Sequence, residues 1–100
     1  MQTYMIHVTY TQMGIENIKG SPYRVEAAKQ IISSMGGEAS VFYAVMGAAH
    51  DAVFILEAPG DDAAAKIALN IAMHGNVRTN THRVFTEDEF REIVDALPSP

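Results

Sequence analysis

The segment from Tyr43 to Phe85 constrains the fold more than any other feature of the sequence. It contains a hairpin pattern, then one helix, then a further strand. Residues 39–46 and 52–56 have strand character, and the residues between them form a connection of hairpin length. A helix then begins with carboxylates in its first turn and ends at a glycine, after which residues 77–85 form a strand. This succession is typical of α+β folds.

The N-terminal part adds a strand and a helix. Residues 4–10 alternate apolar side chains with others, which predicts the first strand. We expect residues 11–20 to form a loop and Ser21 to cap the following helix, with proline at its first position. That helix is predicted to end at Gly36.

The C-terminal helix has the most specific local signal. Thr86 and Glu89 fit a capping box, so this helix is predicted to start at Thr86. The complete order β-α-β-β-α-β-α predicts an α+β, ferredoxin-like βαββαβ fold, with a four-stranded antiparallel sheet of strand order 4-1-3-2 and one appended helix. We expect a single domain at residues 1–97 and a frayed tail at residues 98–100.

Composition excludes several classes of function. The chain of 100 residues has a formal net charge of −5 and contains no cysteine. It lacks the basic field that holds phosphate backbones, so we expect no nucleic-acid partner. Without cysteine there is no disulfide, thiolate ligand or cysteine nucleophile. The sequence shows no leader and no apolar run of membrane length, and we therefore expect a cytoplasmic protein without a membrane partner.

Strand parity predicts two chemically different sheet faces. One face is mostly apolar or small and suited to lie under helices: Tyr4, Ile6, Val8, Ala52, Phe54, Leu56, Val77, Thr79 and Thr81. The other face is mixed: Met5, His7, Thr9, Val53, Ile55, Glu57, Arg78, Asn80, His82 and Val84. Matching the midpoints of the first and fourth strands places His7 close to Asn80, and diagonal to Arg78 and His82. Because a small domain gains by covering a half-apolar face, we expect a homodimer, or a higher homo-oligomer, that forms through it.

A set of residues spread over most of the chain matches a family pattern. The matching residues are Arg24, Tyr43, Gly47, Asp51, Glu57, Pro59, the run from Gly75 to Thr81, Glu89 and Phe90. Through them the chain resembles the GYD domains, small bacterial and archaeal proteins whose signature tyrosine is replaced here by His50, and whose usual aspartate is replaced by Gly60. The resemblance implies a dimeric α+β barrel, in which two sheets face each other and enclose a cavity. Proteins of that group include cofactor-independent oxygenases, isomerases and heme-handling proteins.

The mixed face supplies the candidate site. We expect His7 and His82 to act in proton transfer, as bases held neutral by burial and by the charge of Arg78. The ligand-binding candidates are Arg78, Asn80, Ile55, Tyr43, His50, Asp51 and Glu57. Arg78 or Asn80 would stabilise a developing anion, while His50 and Asp51 would guard the mouth of the cavity.

Structural explanations compete for several of these residues. Asp51 is explained by capping of backbone N–H groups, and Gly47 and Gly75 are explained by turns with positive φ. Glu57 is a candidate partner of Arg78, across the sheet or across a dimer.

The histidines do not follow the spacing of known metal ligands, since H-x-x-x-H and H-x-H are absent from the sequence. We therefore predict no metal site and no cofactor. Two functions remain open. One is binding of a small organic molecule between two sheets, with proton-transfer, oxygenase or isomerase activity. The other is a non-catalytic assembly or regulatory module, in which the mixed face forms only a subunit contact.

Overall fold

The computed structural model describes residues 1–99, which contain four strands and four helices. Their bounds are β1 (Gln2–Tyr10), α1 (Gln12–Glu16), α2 (Ser21–Ser34), β2 (Glu38–Ala44), β3 (Ala52–Ala58), α3 (Asp61–Ala72), β4 (Val77–Val84) and α4 (Glu87–Asp95). The α+β class, the four predicted strands and the three predicted helices are confirmed. Residue 100 of the predicted tail lies outside the described residues.

The sheet is antiparallel throughout, and its strands run β2-β3-β1-β4, which is 4-1-3-2 counted from the β4 edge. On β1, His7 lies opposite Val53 of β3 and Asn80 of β4. Arg78 and His82 are therefore the diagonal neighbours of His7 on β4, as strand matching predicts.

The core lies between the sheet and helices α2 and α3. Its members are Tyr4, Ile6, Val8, Ala28, Ile32, Ala52, Phe54, Leu56, Ala58, Ala64, Ile67 and Ala68. Alternate residues of β1 and β3 are buried in this core, as parity predicts. The residues between them lie on the opposite side of the sheet. We call that side the open face, and it includes Thr3, Met5, His7, Thr9, Val53, Ile55, Glu57, Arg78, Asn80, His82, Val84, Val41 and Tyr43.

The segment predicted as a loop between β1 and α2 instead contains the short helix α1 and a 3-10 turn at residues 18–20. Thr11 caps α1, since its Oγ1 accepts from the Gly14 N–H at 3.1 Å and donates to the Gly75 carbonyl at 2.6 Å. Gly14 packs against Asn76, where any Cβ would overlap the Asn76 carbonyl oxygen. A helix of five residues is too short for a periodic pattern to reveal it.

The start of α2 differs from the prediction by one residue. Ser21 is the first helical residue, and Gly20 precedes the helix without a side-chain hydrogen bond to it. The Ser21 hydroxyl instead shares a hydrogen bond of 2.9 Å with the Tyr10 hydroxyl. Ser21 therefore links α2 to β1 rather than capping α2.

Two glycines have the left-handed backbone that the sequence predicts. The φ angle is 81° at Gly47, in the β2–β3 connection, and 84° at Gly75, between α3 and β4. Residues with a Cβ rarely adopt such angles, so the turns account for both glycines.

Helix α4 begins with the predicted capping box. Thr86 Oγ1 accepts from the Glu89 N–H at 3.2 Å, and the Glu89 carboxylate accepts from the Thr86 N–H at 2.8 Å. No residue of α4 is buried, and its apolar stripe includes Phe90 at 60% exposure and Val94 at 44%. The rest of the described chain therefore leaves this stripe largely uncovered.

Candidate functional site

Three imidazole rings meet on the open face and form the histidine cluster, which consists of His7, His50 and His82. The His7 and His50 rings are stacked, with centroids 4.4 Å apart and an angle of 28° between their planes. The His82 ring meets the His7 ring edge-on, with centroids 5.3 Å apart. Register predicts that His7 and His82 are neighbours. His50 lies on the His7 ring, and its expected role at the mouth of a cavity between two chains stays a prediction.

Asp51 holds the connection that carries His50. Its N–H donates to the Val8 carbonyl, and its carboxylate accepts from the Tyr10 N–H, each at 2.8 Å. Its carbonyl accepts from the Val45 N–H, also at 2.8 Å. These bonds tie the β2–β3 connection to β1 and thereby set the position of His50, so backbone capping describes the contacts of Asp51.

The environment of His7 favours its neutral form. Burial lowers the pKa of His7 from its ordinary value, and the charges that His50 and His82 can carry lower it further. The sequence predicts this direction but attributes the neighbouring charge to Arg78, which is exposed and lies opposite Thr9. A neutral imidazole has one acceptor nitrogen, so His7 can accept a proton from a bound molecule.

The other predicted binding residues surround the cluster. Asn80 lies opposite His7, Arg78 lies two residues before Asn80 on β4, and both side chains are exposed. Ile55 on β3 is half-buried, whereas Tyr43 on β2 is exposed. All four side chains belong to the open face, and the two on β4 are hydrogen-bond donors that lie opposite and diagonal to His7.

Glu57 lies at the far end of the open face. It pairs with Thr3 on β1, whereas Arg78 pairs with Thr9. The six positions from Thr3 to Thr9 correspond to roughly 20 Å at the rise of a β-strand. The predicted pairing of Glu57 with Arg78 across the sheet of one chain is therefore wrong, because the antiparallel register places the two side chains at opposite ends.

A cavity of about 320 Å³ lies on the other side of the sheet, between the strands and helices α2 and α3. Val8 of β1 and Phe54 of β3 are among the residues that line it, and both belong to the core side of their strands. This cavity is distinct from the one predicted around His7 and His82, which would need a second copy of the chain to close it.

Sequence reasoning missed the polar side of this cavity. Its polar lining residues are Tyr10, Ser21, Arg24, His74 and Asn76. Two sequence signals point to the first three: parity places Tyr10 under the helices with the other even-numbered residues of β1, and a spacing of three places Ser21 and Arg24 on one face of α2.

Residues 1–99 contain no group of three or more His, Cys, Asp or Glu side chains arranged to hold a metal ion. Stacking turns the ring faces of His7 and His50 toward each other, whereas metal binding requires converging nitrogen atoms. In the same described segment, no helix has both the length and the apolarity needed to cross a bilayer.

The comparison with known proteins agrees with the residue pattern in the sequence. A family model of the GYD domain matches residues 4–94. The chain belongs to the GYD domain family. No curated protein matches it. In this GYD domain the matched segment begins within β1 and ends within α4, and so includes the histidine cluster, Asp51 and the capping box.

Of the two departures from the family pattern that the resemblance indicates, His50 and Gly60, the first lies in the histidine cluster. His50 stands where the resemblance places a tyrosine, and its ring is the one stacked on His7. Its Nδ1 also lies 3.3 Å from the Thr9 Oγ1. The replacement therefore adds a third imidazole to the two that the strands supply.

Proposed function

We propose that two copies of this GYD domain pair through their open faces and enclose the histidine cluster in a binding site for a small organic molecule. The observation that carries the proposal is the His7 ring, whose neutral form is favoured by burial and by the histidines beside it. Such a ring has an acceptor nitrogen ready for a proton, in a place where a second copy would exclude water.

Exposed apolar surface supports the dimer. Met5, Val53 and Ile55 lie around the cluster and are only half-buried in one chain. Helix α4 adds an apolar stripe without a buried residue. A second copy that covers such surface contributes favourable free energy, and a two-fold axis brings the same face of both copies together.

The chemistry that the site supports best is proton abstraction. His7 accepts a proton from a C–H or O–H group of the bound molecule, and the bonding electron pair stays on the molecule as an anion. Asn80 and Arg78 lie on the same face and donate hydrogen bonds to that anion. Return of the proton to another atom completes an isomerisation. Reaction of the anion with dioxygen is the corresponding oxygenase route.

A thermal-shift screen of small phenols, enolisable ketones and organic acids tests this proposal. We expect a compound that stabilises the parent protein, by about 2.7 kcal/mol at 100 times its Kd, and stabilises His7→Gln much less. Lys29→Gln is the control, because Lys29 pairs only with exposed Glu26 and lines neither the cluster nor the cavity between sheet and helices, and it should respond like the parent. Equal stabilisation of the parent and His7→Gln by a compound that shifts the His7 and His82 ring signals contradicts the role of His7. Light scattering that finds a monomer at micromolar concentration contradicts the dimer.

The exposed stripe of α4 favours a second candidate, a non-catalytic assembly module. In that case the open face and α4 would form a filled subunit contact. Binding sites usually enclose roughly 300 to 1,000 Å³, and a filled contact does not. A dimer structure in which partner side chains pack directly against His7 would support assembly over binding.

A further inference from the structure

The cavity between the sheet and helices α2 and α3 has an apolar body and a polar end. Its apolar lining includes Val8, Phe42 and Phe54 from the sheet and Ile31 and Ile71 from the helices. At the polar end, Ser21 and Arg24 lie on one face of the first turn of α2, and Tyr10 bonds to the Ser21 hydroxyl at 2.9 Å. Its volume of about 320 Å³ is at the lower limit of sites that hold small organic ligands.

The guanidinium of Arg24 is incompletely paired. Its Nη1 donates to the Asn17 carbonyl at 3.1 Å. Its Nη2 is buried and has no hydrogen-bond acceptor among residues 1–99. Arginine stays protonated in proteins, and a buried cationic nitrogen without an acceptor is costly. No salt bridge of the described chain involves Arg24. No carboxylate among the described residues neutralises this guanidinium.

We propose that this cavity binds a small organic monocarboxylate, with the carboxylate on Arg24 and the hydrocarbon part among the apolar residues. Because Nη1 is bonded to the Asn17 carbonyl, Nη2 is the group that donates to the carboxylate, after a side-chain rotation that brings this buried nitrogen to the surface of the cavity. The N-terminus of α2 adds a partial positive charge at the same end. One arginine matches one negative charge, and the apolar lining favours a hydrocarbon or aromatic body over inorganic phosphate.

This site is independent of the histidine cluster. Val8 and Tyr10 line the cavity, while His7 and Thr9, which alternate with them along β1, lie on the open face. One layer of sheet separates the two sites. Loss of either function would therefore leave the other measurable.

Isoleucine methyl NMR locates the ligand directly. Ile31 and Ile71 line the cavity, whereas Ile55 lies on the open face. We use phenylacetate and hexanoate as probes, and phenylacetamide as the uncharged counterpart of the first. We expect saturable shifts of the Ile31 and Ile71 methyl groups with either acid, and binding of phenylacetamide weaker than phenylacetate by about tenfold or more, because a hydrogen bond to a charged group is lost. Saturable shifts confined to Ile55, or no saturable shift with either acid up to millimolar concentration, would overturn the proposal.

Arg24→Gln tests the role of the guanidinium. We expect about a tenfold or larger increase in the Kd of phenylacetate, with little change for phenylacetamide. Arg91→Gln is the control, because Arg91 lies on α4 and forms only exposed ion pairs, and it should bind as the parent does. If Arg24→Gln does not fold, the comparison of acid and amide in the parent still decides. Equal affinity of the parent for phenylacetate and phenylacetamide refutes the carboxylate site. The site is also refuted if neither acid binds and α4 of a second copy covers Ile31 and Ile71.

Discussion

Thr86→Ala removes the N-cap of α4 and tests whether the stability of this helix contributes to dimer formation. The substitution removes the bond from the Glu89 N–H to Thr86 Oγ1 and leaves the reverse bond, from the Thr86 N–H to the Glu89 carboxylate. Loss of such a cap costs about 1 kcal/mol of helix stability. Thr86→Ser keeps the hydroxyl and is the matched control, for which we expect almost no change.

Which measurement detects this loss of helix stability depends on whether a second copy covers α4. In one chain no residue of α4 is buried, and a free helix of nine residues is marginal in water. Thr86→Ala should then reduce the helix signal of α4 while the urea unfolding of the sheet hardly changes. In the proposed dimer each α4 must be helical to dock. Two caps then cost about 2 kcal/mol per dimer, which raises the dimer Kd roughly thirtyfold.

Analytical ultracentrifugation and far-UV circular dichroism separate these cases. The expected result is a weaker dimer for Thr86→Ala, a parent-like dimer for Thr86→Ser, and a lower helix signal for Thr86→Ala at concentrations where it is monomeric. An unchanged dimer Kd with a reduced helix signal refutes the docking of α4. An unchanged helix signal refutes the assignment of Thr86 as the cap.

Three further substitutions test the core, the cluster and the hairpin. Leu56→Ala, in the fully buried core, should lower the free energy of unfolding by about 2 to 5 kcal/mol in urea, whereas Ile55→Ala on the open face should cost less and depend on protein concentration. The lowered pKa of His7 means that the unfolded state binds more protons between that lowered value and the ordinary one, so stability falls as pH drops through this window. Urea unfolding at several pH values should show a weaker fall for His7→Gln than for the parent or His74→Gln. Asp51→Ala loses the carboxylate bond to the backbone of β1 and should cost about 1 to 3 kcal/mol in the same assay, with broadened NMR signals of the β2–β3 connection.

The sequence was sufficient for the sheet because alternation and register repeat along a strand. Parity separated the buried Leu56 from Ile55, and the pairing of β1 with β4 placed His7 opposite Asn80. The same regularity was absent at α1, whose cap Thr11 bonds to Gly75, 64 positions away. Contacts of that kind depend on tertiary structure, and no local pattern contains them.

In the candidate site, too, the contacts that follow from strand register could be predicted, and those that depend on tertiary structure could not. The neighbourhood of His7 and His82 follows from register, but the position of His50 follows from the bonds of Asp51 to the backbone of β1. The cavity beside Arg24 arises from the gap between helices and sheet, which depends on side-chain volumes from several elements. Periodicity predicts which face a residue occupies, and it does not predict how well that face is filled.

One of the two proposed sites is formed by a single chain, and the other needs a second copy of the chain. A dilution experiment on the parent protein can therefore show which site a ligand occupies. The cavity beside Arg24 is built by one chain, so the affinity of a carboxylate for it should not depend on protein concentration. The histidine cluster needs the open face of a second copy. Its ligand binds the dimer alone and is therefore linked to dimerisation: apparent affinity falls as the protein is diluted below the dimer Kd, and the ligand in turn tightens the dimer. A ligand whose affinity is unaffected by dilution, yet which shifts the His7 and His82 ring signals, would show that one chain suffices for the cluster and that the second copy is not part of that site.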